Sequence, residues 1–126
     1  MFLTVPFALN WMKENDWPLI QKRNRLLKAY GIELLCKIPG NKPLLLSTSD
    51  PLTQFGSVLL PADINTDHMK DWLYDQRNIE VVVHKWLGKA IIRFSVHAHT
   101  SLEDIQTLER GVREYIDEFI NKIAKL

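Results

Sequence analysis

Residues 79–98 read Ile79-Glu80-Val81-Val82-Val83-His84-Lys85-Trp86-Leu87-Gly88-Lys89-Ala90-Ile91-Ile92-Arg93-Phe94-Ser95-Val96-His97-Ala98. The run from Ile79 to His84 is short, apolar and β-branched, which predicts a strand. Leu87-Gly88-Lys89 supplies a tight turn, and Ala90 to Ala98 a second strand, so the segment reads as a β-hairpin. Alternation on the second strand puts Ile92, Phe94 and Val96 on one side and Ile91, Arg93 and Ser95 on the other. Helices should cover the more apolar set and leave Arg93 on the opposite face.

Downstream, Ser101 with Asp104, or Thr100 with Glu103, approximates a capping box that starts a helix. Ile105, Leu108, Val112, Tyr115, Ile116, Phe119 and Ile123 form its apolar stripe. Upstream, Asn65 or Thr66 caps a helix running to about Gln76 that buries Met69 and Leu73. Ser57 to Leu60 is a short strand closed by Pro61. Leu44-Leu45-Leu46 reads as extended, and Ser47 to Gly56 as a loop. Asp16 caps a long helix whose stripe is Leu19, Ile20, Arg23, Leu27, Tyr30, Leu34, Leu35 and Ile38, ended by Pro39-Gly40. Thr4 caps a shorter one with Phe7, Trp11 and Met12 facing inward. The order helix, helix, strand, helix, strand, strand, helix predicts one α+β domain over residues 1–126. The expected form is a two-layer sandwich, with a small, mainly antiparallel sheet and helices on one face.

Composition bounds the function. The 126 residues are 46% hydrophobic and 25% charged, as in ordinary soluble domains. With 16 basic and 15 acidic residues the net charge is +1, so no basic field exists to hold nucleic acid. No apolar run approaches the roughly 20 residues of a membrane span, and the N-terminal stretch lacks the marks of a signal peptide. Cys36 is the sole cysteine, so no internal disulfide can form, which fits a reducing, cytoplasmic setting. Its place on an apolar helix side favours an inert thiol.

Few residues invite chemistry. His97 and His99 are two apart, but zinc needs three or four ligands and none lies at matching spacing. Lys85 sits at a hairpin end beside Gly88, where a lysine is solvated rather than enclosed for imine formation. Arg93 stands mid-strand among apolar residues. Its guanidinium can close an internal ion pair or grip an external carboxylate through two hydrogen bonds. No catalytic, cofactor-binding or metal-binding residue is assigned.

The order of motifs resembles a known family. Ile79-Glu80-Val81-Val82-Val83, Trp86-Leu87-Gly88-Lys89, Arg93-Phe94-Ser95 and Asp104-Ile105 with Leu108 resemble the C-terminal region of class V aminotransferase-fold enzymes. Phe7-Ala8-Leu9-Asn10-Trp11-Met12, Asp16-Trp17, Arg23-Asn24, Leu34-Leu35-Cys36, and Gly56-Ser57-Val58 with Leu60-Pro61 resemble isopenicillin N epimerase-like and cysteine desulfurase-like proteins. The resemblance runs from about residue 2 to residue 120. Each motif is weak alone, and their order and spacing carry the likeness.

The resemblance implies the small C-terminal domain of a fold type I pyridoxal-phosphate enzyme acting on an amino acid by epimerisation, desulfuration or transamination. In that family the large domain holds the cofactor and its lysine, and the small domain supplies an arginine for the substrate carboxylate, here Arg93. The parent enzyme would be a homodimer. The likeness starts about where the family's large domain hands over to the small one, so the pyridoxal-phosphate-binding domain is expected to be absent and the chain inactive alone. The family's Tyr-Asn pair after Arg-x-Ser is His99-Thr100 here, which makes His99 the accessory candidate. Lys85 falls inside the C-terminal hairpin and is rejected as the imine lysine. The alternative is a non-catalytic α+β interaction domain using an exposed sheet face with Trp72, Trp86 and Phe94.

Overall fold

The computed structural model describes residues 4–44 and 53–121. Four helices and four strands follow one another: α1 (Val5–Glu14), α2 (Trp17–Cys36), β1 (Lys42–Pro43), β2 (Phe55–Leu59), α3 (Thr66–Arg77), β3 (Val82–Trp86), β4 (Lys89–Ser95) and α4 (Leu102–Ile116). A π-helical turn, Asp117–Asn121, continues α4. The sheet is antiparallel throughout, in the order β1-β2-β4-β3. The expected α+β sandwich is therefore present. Residues 45–52, which hold most of the expected extended stretch and loop, and Ile123 of the last stripe lie outside the described residues.

Local chemistry sets the element ends. The β3–β4 hairpin closes between Trp86 and Lys89 with Leu87 at φ 48° and Gly88 at φ 75°. Positive φ at both central residues matches the strands' twist, and Gly88 adopts it without a Cβ penalty. Ser101 caps α4 as expected: its Oγ accepts from the Asp104 N–H at 3.1 Å, and its N–H donates to Asp104 Oδ2 at 2.7 Å. Asn65 caps α3 by accepting from the His68 N–H, and Asp16 caps α2 by accepting from the Leu19 N–H. Thr4 precedes α1 without a side-chain cap bond.

One core fills the space between the layers. Val58, Val83, Ala90, Ile92, Phe94 and Val96 face it from the sheet side, and Ile105, Leu108, Val112, Tyr115 and Ile116 from α4. α2 lies along β2, α3 along β3, and α4 packs on both helices. The Tyr115 hydroxyl meets His68 Nδ1 at 2.8 Å, which keeps this buried polar tip partnered where α4 meets α3. Burial pushes the Tyr115 phenol pKa upward.

Several expectations shift, and the hairpin strands run Val82–Trp86 and Lys89–Ser95 rather than Ile79 to His84 and Ala90 to Ala98. β2 starts at Phe55, two residues before the expected Ser57, so Phe55 and Gly56 are strand rather than loop. The buried face of α2 is Asn24, Leu27, Gly31 and Leu35, while Leu19 is 61% exposed. Leu27, Leu35 and Ile38 of the expected stripe are buried, whereas apolar spacing misses Asn24 and Gly31, which complete the face. A Cβ at Gly31 would lie 2.7 Å from Phe94 Cζ, so the helix seats where its backbone can approach the ring. In α1 no residue is buried, and Phe7 is 78% exposed against the expectation that it faces inward. α1 meets the rest of the fold chiefly at the start of α2, where Trp11 packs edge-on against Trp17.

Candidate functional site

Strand pairing decides where Arg93 lies. It stands opposite Ser57 of β2 and Val82 of β3. Alternation puts it with Ile91 and Ser95, on the face opposite Ile92 and Phe94, which enter the core. Helices cover the core side, so Arg93 projects from the helix-free face. Its cross-strand neighbours there carry no charge. The guanidinium carbon sits 5.4 Å above the Phe55 ring, within cation–π range. Among the described residues, no carboxylate or carbonyl pairs with it.

The same face carries apolar side chains that a solvated sheet surface would not need. Phe55 is 55% exposed, Val82 40% and Trp86 39%, and Leu59 and His84 flank the buried Ile91. Of the three aromatics expected at an exposed patch, only Trp86 lies on this face. Phe94 is buried, and Trp72 packs in α3 against Tyr115 and Phe119.

At the β3 edge a cavity of about 440 Å³ brings Arg93 and His99 to one lining, with Ser95, Thr100, Asp104 and Glu80. It exists because β3 starts only at Val82, while β4 runs on to Ser95. Asn78 takes φ 53°, and the Ile79 N–H donates to the Leu73 carbonyl at 3.0 Å, a Schellman-type end to α3. That ending steers residues 78–81 away from β4 and opens the gap.

His99 lies beyond the strand, in a turn that starts at His97. The Thr100 N–H donates to the His97 carbonyl at 3.0 Å, and the His97 N–H to Thr100 Oγ1 at 2.9 Å. Arg23 secures the turn from α2, donating from Nη2 to the Thr100 carbonyl at 2.6 Å. The His97 and His99 rings stack at 5.6 Å, and Trp17 leans on His97 at 5.9 Å. Asp104 is held below the usual carboxylate range, first by its backbone hydrogen bond from Ser101, then by the Ser101 hydroxyl and the charge of His99. No three His, Cys, Asp or Glu side chains gather as a metal site among the described residues.

The other residues singled out from sequence are not part of this arrangement. Lys85 pairs with Ala90 on the hairpin and is exposed. Neither the cavity beside Arg93 nor the one at α1 is lined by a lysine. An imine lysine needs an enclosed pocket, and Lys85 lines neither of these cavities. Cys36 is half-buried, and burial pushes its thiol up, away from the reactive range.

No family model matches the sequence, and no curated protein does. A solved structure does match. The fold is similar to part of 8-amino-7-oxononanoate synthase from Francisella tularensis. The likeness has 26% sequence identity and a TM-score of 0.50, and covers 78% of this chain. It spans 29% of the synthase chain, so this fold corresponds to under a third of that enzyme.

Sequence reasoning missed Phe55, Glu80 and Asp104 as neighbours of the site. Phe55 could have been found by extending the alternation Phe55-Ser57-Leu59 backward. Glu80 and Asp104 meet the cavity through a strand that starts late, which local patterning does not reveal. No helix of the described chain is long and apolar enough to cross a membrane.

Proposed function

We propose that the chain is the small domain of a fold type I pyridoxal-phosphate enzyme that acts on an amino acid, with Arg93 gripping the substrate carboxylate. The carrying observation is an arginine without an anionic partner among the described residues, on the helix-free sheet face of a fold similar to part of 8-amino-7-oxononanoate synthase. That synthase is itself a fold type I pyridoxal-phosphate enzyme. The motif order favours the class V, isopenicillin N epimerase-like branch. The cofactor and its lysine would sit in a large partner domain facing Phe55, Val82 and Trp86, in a homodimeric parent enzyme. The chain's own work is to bind and orient a carboxylate: a planar guanidinium offers two parallel donors at fixed spacing. His99, on the same cavity, is an accessory contact.

A second reading, a non-catalytic interaction domain, draws on the apolar exposure of Phe55, Val82 and Trp86. Calorimetric titration of the chain with a free amino acid separates the two. The enzyme-domain reading expects weak saturable binding that Arg93→Gln abolishes. Equal heats in both proteins would favour the interaction domain.

A further inference from the structure

A second cavity, of about 460 Å³, lies where α1 meets the turn after β4. Ala8, Trp11, Met12, Trp17, His97 and Ala98 line it almost wholly with apolar atoms. Its walls are a run of touching rings: Trp11 on Trp17 at 6.3 Å and 69°, Trp17 on His97 at 5.9 Å, and His97 on His99 at 5.6 Å and 28°. No Asp, Glu, Lys or Arg lines it. His99 completes this lining and also lines the cavity beside Arg93. The two spaces thus meet at one side chain: the first is bordered by Arg93, Glu80 and Asp104, and the second is an aromatic, uncharged hollow.

We propose that the ligand held by Arg93 is a carboxylate bearing a large apolar side chain, which passes His99 and enters the Trp11–Trp17 cavity. This rests on the reading of Arg93 given above and adds the substrate class. An ionised side chain entering the hollow would lose hydration and find no partner. An alkyl or aryl group loses nothing polar and covers tryptophan faces that α1 leaves uncovered, since α1 buries no residue of its own. Each methylene taken from water tightens binding about fourfold, so affinity should climb with chain length until the hollow is full.

The test uses the fluorescence of Trp11 and Trp17, with the full chain titrated by 2-aminobutyrate, 2-aminohexanoate, 2-aminooctanoate and glutamate. Trp72 and Trp86 do not line the hollow. The dissociation constant should fall about fourfold per methylene along the alkyl series, with glutamate weaker than 2-aminohexanoate. Ala8→Trp, which fills the hollow, should flatten the slope while leaving the dependence on Arg93. Arg93→Gln should weaken every member alike and keep the slope. Affinity independent of chain length, glutamate binding as tightly as 2-aminooctanoate, a slope unaltered in Ala8→Trp, or no saturable response from any member would each overturn the proposal. A normal slope with Arg93→Gln indistinguishable from wild type would instead overturn the carboxylate role of Arg93 and leave the apolar site standing.

Discussion

Phe94 and Gly56 face each other across β4 and β2, and the phenyl ring occupies the space a side chain at Gly56 would need. Gly31 of α2 meets the same ring, so Phe94 is wedged between two backbones that come close only because both positions lack a Cβ. This wedge sets the spacing between α2 and the sheet, and with it the layer on whose far side Arg93 stands. Gly31→Ala and Gly56→Ala should each lower stability by about 1–3 kcal/mol, because a methyl forced into a packed core costs more than the lost glycine flexibility returns. Pairing either with Phe94→Leu should recover part of that loss. Urea unfolding of the single and double variants measures it, and strictly additive losses would show that the ring and the glycines do not share one space.

α4 is the main tether of the helical layer. Val112 is fully buried and Ile116 nearly so, both in the single core. Val112→Asp or Ile116→Asp would bury an unpaired carboxylate and should cost about 3 kcal/mol or more. Thermal melting checks this; either variant melting with wild type would mean α4 is not docked as described.

Asp104 couples stability to acid. Its folded pKa lies below its ordinary value of 3.8, chiefly through the hydrogen bonds with Ser101. A depressed carboxylate pKa contributes stability that is present above the unfolded value and lost as pH falls through the folded one. Wild type should therefore lose more stability than Asp104→Asn between about pH 5 and pH 2. Parallel pH profiles from denaturant titrations would remove the linkage.

Lys85 stands exposed on the hairpin. Incubating the chain with pyridoxal phosphate and reducing with borohydride should label surface lysines sparsely and without preference. Stoichiometric labelling of Lys85, preceded by a stable imine absorption, would contradict its solvated placement.

Much of this architecture was legible locally. The Ser101–Asp104 box, the Asn65 and Asp16 caps, the Leu87-Gly88 turn and the alternation around Arg93 are each specified within a few residues. The α2 face was legible only in part: Leu27, Leu35 and Ile38 are buried as expected, whereas Gly31 and Asn24 are buried for reasons that lie in Phe94 and in long-range packing. The outward turn of Phe7 was also hidden, since apolar spacing in α1 does not say whether anything covers it. At the site, Arg93 was identifiable by strand position, whereas its sharing of a cavity with His99 depends on the Schellman-type ending of α3 at Asn78.

The central claim is that Arg93 is a free carboxylate grip rather than half of an internal ion pair. Arg93→Ala should leave the stability of the chain within about 0.5 kcal/mol of wild type, since no buried partner is stripped. The most direct measurement follows the arginine side-chain Nε–Hε resonances by NMR while 2-aminohexanoate is added. The Arg93 signal should move selectively and saturably, and those of Arg23, Arg77 and Arg113, already bonded to protein oxygens, should stay in place. A stationary Arg93 signal, or uniform shifts across all the arginines, would contradict the account.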